Sequence, residues 1–251
     1  MECGATAYHY ACDRQVLFDR QSRFQKAEKI YQVLQEYYHG ELAEAEVLDV
    51  GCSAGLIACR LAEKVKFIYG IDIDQDIIAQ VTELEKRVPN FKFIFAGGDR
   101  LPFETGQFDI IICNIMYNFL TPDAQLQMFA EIHRCLRPGG MCYFAAPNRL
   151  MIMDGKFKLP FLLWLPRNLA QKYVRLFSRH KVFNEYFKTY WSLRQLVSCW
   201  FTGRDITMEM IDHPQKYRLL ATENKALILL VRILARLFYP FLPNYIFVLY
   251  K

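Results

Sequence analysis

The chain has 251 residues, 31 Lys and Arg against 26 Asp and Glu, and a formal net charge of +5 at pH 7. At 53% hydrophobic and 23% charged, this is an ordinary globular composition. It excludes a disordered or fibrous chain and is long enough for one large domain with a real core. The charge is uneven: residues 147–204 hold eleven bases against two acids, Asp154 and Glu185, a local +9, while the remainder sums to −4. That imbalance points the basic segment toward an anionic partner.

Met1 to Arg20 carries several charges and no apolar core, so a secretory signal is not expected. The eight cysteines are scattered without a C-x-x-C pair. They suggest buried thiols of a cytoplasmic protein rather than a metal site or a disulfide framework. Residues 18–38 place Phe24, Ala27, Ile30, Tyr31, Leu34 and Tyr38 at helical spacing. Beyond Gly40, apolar β-rich runs at 46–50, 66–73, 91–96, 108–114 and 141–146 alternate with helical stretches near 55–64, 75–87 and 122–136. Such alternation predicts a parallel sheet with helices on both faces. The pattern breaks after Pro147 into an aromatic and basic stretch with helices near 167–178 and 192–201. Residues 205–211 then read as a strand, 223–238 as a very apolar helix and 244–250 as a last strand. The expected organisation is an N-terminal helical cap (1–39), a core (40–146), a basic lid (147–203) and a C-terminal part of the core sheet (204–251).

The most informative stretch is Val47-Leu48-Asp49-Val50-Gly51-Cys52-Ser53-Ala54-Gly55. A buried strand runs into a turn of small residues and then a helix, where a ligand can approach the backbone closely beside a helix N-terminus. Twenty-one residues past Gly51, Asp72 ends the next strand, where a carboxylate can accept both hydroxyls of a ribose. The pyrophosphate fingerprint G-x-G-x-x-G is absent, and the acidic Asp49 before the turn suits an amino-bearing ligand better than a diphosphate.

With these residues the sequence resembles the class I S-adenosylmethionine-dependent methyltransferases over about residues 40–150, with a compatible final hairpin at 204–250. The resemblance implies a Rossmann-like, seven-stranded, mostly parallel α/β sheet with an antiparallel last strand and a helical lid after strand five. It implies S-adenosyl-L-methionine as cofactor; no carboxylate–histidine spacing in the sequence supports a metal site. Asp49, Gly51, Cys52, Ser53 and Gly55 would hold the methionine moiety, and Asp72 with Ile73 the ribose. Residues 97–103 match the family's adenine loop, with Gly98, Asp99 and Arg100 as its candidate contacts and Asn114 at the end of strand four. Leu136-Arg137-Pro138-Gly139-Gly140 matches the turn before strand five.

Three positions depart from the family. Ser53 stands where many members have glycine; the usual adenine-reading acid or amide falls on Gly97, two residues before Asp99; and Asn118-Phe119 stands where small-molecule members often carry Glu-His. Methyl transfer from a sulfonium chiefly requires an acceptor held in line in a dry pocket, so no triad is expected. The ends of strands four and five point to Asn114, Met116, Tyr117, Asn148 and Arg149. Tyr8, Tyr10 and Arg14 could close the other side. The stretches Pro147-Asn148-Arg149 and Leu159 to Pro166 resemble a bacterial subgroup linked to glycan or lipid-linked sugar pathways. There Asp154 and Lys156 replace the subgroup's acid and histidine, which makes Asp154 a candidate base beside His180.

The expected acceptor is a small, anionic or sugar/lipid-linked molecule, methylated on oxygen. Competing readings are an RNA or DNA methyltransferase, disfavoured because Asn114-Ile115-Met116-Tyr117 lacks an Asn-Pro-Pro-aromatic step, and a non-catalytic cofactor-binding or membrane-docking subunit. Residues 226–250 are interrupted by Arg232, Arg236, Pro240, Pro243 and Asn244, so they predict no transmembrane span, leaving peripheral contact at the inner membrane face open. The oligomeric state is not readable.

Overall fold

The computed structural model describes residues 19–179, 182–219 and 224–251. Helix α1 (Arg20–Tyr37) starts where the Asp19 carboxylate accepts the Ser22 N–H. It buries Ala27, Ile30, Val33, Leu34 and Tyr37, whereas the expected anchor Phe24 stays 40% exposed under the Arg60 guanidinium. Strand β1 (Glu46–Val50) leads to α2 (Leu56–Ala62), β2 (Phe67–Asp72), α3 (Ile78–Glu85), β3 (Phe91–Phe95) and β4 (Phe108–Asn114). Helix α4 (Pro122–Cys135) has Thr121 as its N-cap and Pro122 in its first turn, the arrangement that leaves fewest orphaned amides. Strand β5 (Leu136–Pro147) begins five residues earlier than its apolar run, because Leu136 pairs with Phe108 before an irregularity at the Pro-Gly-Gly turn resets the register to Ile110–Met141.

The seven strands lie in the order β3-β2-β1-β4-β5-β7-β6. Only the last-numbered strand, β7 (Asn244–Tyr250), runs antiparallel to its neighbours β5 and β6 (Thr202–Asp205). Ile110, Ile111, Ile112 and Cys113 of β4 have no exposed surface, as a strand covered on both faces requires. One face of the sheet packs on α1, α2 and α7 (Thr207–Asp212), the other on α4 and α6 (Tyr190–Ser198). Between β5 and α6, Met151, Phe157, Leu159, Leu162, Leu163, Ala170, Val174 and Phe183 form a separate apolar cluster around α5 (Arg167–Phe177).

One expected strand is replaced by a helix. Residues 205–211 do not form a strand: β6 stops at Asp205, whose carboxylate accepts the Thr207 N–H at 2.8 Å and turns the chain into α7. The buried apolar residues there, Ile206 and Met210, are four apart, so the burial follows a helical rather than an alternating period. The apolar α8 (Lys225–Leu237) precedes β7.

Candidate active site

The turn after β1 is shaped by backbone first. The N–H groups of Gly51 and Cys52 both donate to the Ile71 carbonyl at 2.9 Å, tying the turn to β2. Gly51 has φ +76°, and Ser53 takes φ +51°, an unusual left-handed conformation for a residue with a side chain. That geometry aims the Ser53 N–H at Asp72 Oδ2, 2.8 Å away, while the Asp74 N–H reaches Asp72 Oδ1 at 3.0 Å. Each carboxylate oxygen retains a further lone pair, so Asp72 is fixed in place yet able to accept hydroxyls. Ile73 and Cys52 flank this position, Ile73 half-buried and Cys52 buried. Gly55 caps α2 with φ +72°.

Asp49 lies inside this turn, 3% exposed, and its Oδ2 has no hydrogen-bond partner among the described residues. Burial, with the nearby Asp72 charge adding to it, pushes the Asp49 carboxyl up to about 7, against a smaller opposing pull from Arg23. Arg23, on α1, was not among the sequence candidates. Burial lowers its pKa and the Asp49 charge opposes that. Only its position on the inner side of an amphipathic helix hinted at it.

The end of β4 supplies the other wall. Ile115 has φ +55°, strained for a β-branched residue, and its N–H is held by the Ala145 carbonyl at 2.8 Å. The reversal lays the Met116 side chain over two glycines. A Cβ at Gly51 would fall 2.4 Å from Met116 Cγ, and one at Gly98 would fall 2.3 Å from Met116 Cε. Asn114 is half-buried beside this wall. On the adenine-loop side, a Cβ at Gly97 would fall 2.6 Å from Asp99 Oδ1 and 3.7 Å from Ile73 Cγ2. The Asp99 carboxylate therefore folds back to where a side chain on residue 97 would begin. Arg100 is exposed and lines a separate cleft of about 880 Å³ with Tyr69, Phe103 and Gln107.

The candidate catalytic residues are largely committed elsewhere. Tyr117 has no exposed surface; its hydroxyl donates to the Pro147 carbonyl at 2.9 Å and accepts the Lys188 N–H at 3.1 Å, and burial raises its pKa. Asn148 is also fully buried. Its amide donates to the Pro240 and Leu242 carbonyls at 2.8 Å, and its Oδ1 accepts the Leu150 N–H at 3.0 Å. Both residues are structural clips, because their polar atoms already bind backbone. Asp154, 5% exposed, accepts the N–H groups of Lys156 and Phe157 and so caps a turn rather than facing an acceptor as a base. Arg149 is exposed. His180, Tyr8, Tyr10 and Arg14 lie outside the described residues.

Lys156, expected to greet an anion, is paired at 2.6 Å with Glu185 and lies over the Phe119 and Phe157 rings. Glu185 is a residue the sequence reading passed over. It is 3% exposed, its Oε2 has no hydrogen-bond partner among the described residues, and burial raises its pKa against the pull of Lys156. Its neighbour Tyr186 donates its N–H to the Asn118 carbonyl at 2.7 Å, which seats this stretch on the end of β4.

Comparison with known proteins bears on this cradle. A methyltransferase-domain family model matches residues 47–140. A demethylmenaquinone methyltransferase of Lactococcus lactis is 30% identical over 134 residues, 51% of this chain and 52% of that protein. A ubiquinone biosynthesis O-methyltransferase of Pseudomonas syringae is 29% identical over 136 residues, 53% of this chain and 58% of that protein. The chain thus spans about half the length of the curated relatives it matches. In fold it is similar to a Burkholderia thailandensis 1,6-didemethyltoxoflavin-N1-methyltransferase solved with S-adenosylhomocysteine, at TM-score 0.57 and 17% identity over 96% of this chain and 83% of that one. A Pyrococcus horikoshii protein gives TM-score 0.62 at 17% identity over 94% and 93%.

The residues present fit the family's cofactor. Asp49 offers a buried oxygen with no partner among the described residues, suited to an ammonium group. Asp72 offers spare lone pairs to a ribose, and Gly51 and Gly98 let the flexible Met116 side chain lie directly on the backbone of the cradle. Sequence match, strand order and donor set agree: residues 47–140 match a methyltransferase domain, and the strand order and donor set suit S-adenosylmethionine.

Proposed function

We propose that the chain is an enzyme that transfers a methyl group from S-adenosylmethionine to a small-molecule acceptor. The acceptor oxygen is the favoured target atom. The observation that carries this reading is the convergence of Asp49, Asp72 and Asp99 on one cradle at the carboxyl ends of β1, β2 and β3. Asp49 would orient the amino end of the cofactor and Asp72 the ribose. Asp99, whose carboxylate stands in for the side chain that Gly97 lacks, would read the adenine amino group. When bound, the cofactor supplies an electrophilic methyl on a sulfonium. The chain's own contribution is then to hold the acceptor in line and to exclude water.

On this reading residues 147–203 cover the acceptor side. Pairing of Lys156 with Glu185, and stacking of Arg167 on Tyr186 at 4.1 Å, leave those two bases less available to an anionic acceptor than their sequence positions suggested. The relatives' names, with their menaquinone and ubiquinone pathways, favour an apolar or lipid-linked acceptor over a nucleic acid.

The test is calorimetry with S-adenosylhomocysteine. Asp72→Ala and Asp99→Ala should each weaken binding by about tenfold or more, on the order of 1.4 kcal/mol. Unchanged affinity in both variants would remove the cradle assignment.

A further inference from the structure

We propose that the face formed by α8, α5 and the aromatic turn between them docks on an anionic lipid bilayer. Helix α8 is apolar on both sides. Its inner side buries Ile228 and Ala235, and Arg232 and Arg236 are tied to Asp212. Its outer arc presents Leu227, Leu230, Ile233, Leu234 and Leu237, followed by Phe238, with Leu237 69% and Phe238 56% exposed. An apolar outer face this continuous is unusual on a water-facing helix. At 13 residues, about 20 Å, α8 is far short of a span. No helix among the described residues is long and apolar enough to cross a membrane. Such a helix suits the plane of an interface.

The patch continues across the fold. Phe241, just after α8, stacks near Trp164 at 5.9 Å, and Trp164 meets Phe161 at 5.1 Å. Both lid aromatics are exposed, as are Ile152 and Met153 beside Phe161. Three residues after Trp164, α5 begins. Its exposed Leu169 and Leu176 are two turns apart with Lys172 between them on the same face.

Charge selects the occupant. The only two acids of residues 147–204, Asp154 and Glu185, are buried, so the lid's exposed charges, among them Lys158, Lys172, Arg175 and Arg179, are all positive. Leucine and aromatic side chains beside a segment whose exposed charges are all Lys and Arg complement a surface that is apolar within and negative at its headgroups. The carboxyl end of β5 adjoins this face, since Asn148, just after it, holds the Pro240 carbonyl next to Phe241. That the acceptor enters from the bilayer rests on the methyl-transfer reading; the docking itself does not.

The experiment is flotation of the full chain with vesicles of phosphatidylcholine alone or with phosphatidylglycerol added, without methyl donor. S-adenosylhomocysteine calorimetry on the same samples reports the cradle independently. The protein should float with the anionic vesicles and far less with neutral ones. The exposed-site variant Leu230→Glu should reduce partitioning more than tenfold. Lys172→Glu should reduce it roughly fivefold, more at low salt than at high, with cofactor-analogue binding unchanged in both. The proposal is overturned if the wild type floats with neither vesicle. It is equally overturned if Leu230→Glu leaves flotation intact, or if that variant instead abolishes a concentration-dependent dimer in a protein that does not float. Loss of analogue binding with flotation intact would count against the methyltransferase reading alone.

Discussion

Asp49 carries a cost that a single isosteric change should expose. In the native state its carboxyl is displaced from near 3.8 to about 7 by burial and by Asp72. The folded chain therefore holds this proton more tightly than the unfolded one. The corresponding stability is fully present below pH 4 and is lost as pH rises through 7. At about 1.4 kcal/mol per pH unit of displacement, keeping Asp49 ionised costs on the order of 4 kcal/mol. Asp49→Asn keeps the shape and removes the charge. At pH 8 the cofactor-free variant should thus be more stable than wild type by up to about 4 kcal/mol, a Tm rise on the order of 10 °C. Near pH 4, where both side chains are neutral in the fold, the difference should shrink toward zero. The same variant should bind S-adenosylhomocysteine at least tenfold more weakly at pH 8, because the ammonium loses its counter-charge. Wild-type affinity should rise between pH 6 and 8, and that slope should vanish in the variant. Denaturant titrations at the two pH values, paired with calorimetry, measure both arms. A variant equally destabilised at pH 4 and pH 8, or one that binds the cofactor product normally, would refute the reasoning.

Two further predictions separate structural clips from chemistry. Asn148→Ala leaves the Pro240 and Leu242 carbonyls and the Leu150 N–H without partners, so unfolding free energy should fall by about 3–5 kcal/mol; a loss below 1 kcal/mol in urea titrations would return Asn148 to the list of acceptor-facing residues. Tyr117→Phe removes a hydroxyl that binds Pro147 and Lys188. It should cost about 1–3 kcal/mol of stability while single-turnover methyl transfer per folded molecule stays within about twofold, or about 0.4 kcal/mol; a rate drop of a hundredfold in a stably folded variant would restore a catalytic role.

What the sequence determined by itself was local and periodic. The run Val47–Val50 followed by small residues required a buried strand and a tight turn, and Asp72 fell at the end of the next strand, because a fixed number of residues spans one βαβ unit. The antiparallel final strand was implied by the resemblance to the methyltransferase family and is what the sheet shows. Tertiary structure decided what depended on distance rather than spacing. Residues 205–211 alternate like a strand yet curl into α7, because the Asp205 carboxylate takes the Thr207 N–H and turns the chain into a helix whose apolar side meets the sheet. Asn148 and Tyr117 stand where chemistry was expected, but carbonyls from Pro240, Leu242 and Pro147, invisible in the local sequence, had already claimed their polar atoms. That the Asp99 carboxylate comes back over Gly97 was set only by the fold. The charge distribution, too, takes its meaning from the fold. The basic excess of the lid was countable in the sequence, but only burial of Asp154 and Glu185 turned that count into a surface whose exposed charges are all of one sign. Periodicity reports which way a side chain points along its own element; which partner it meets there is set by chain brought back from as many as 213 residues away.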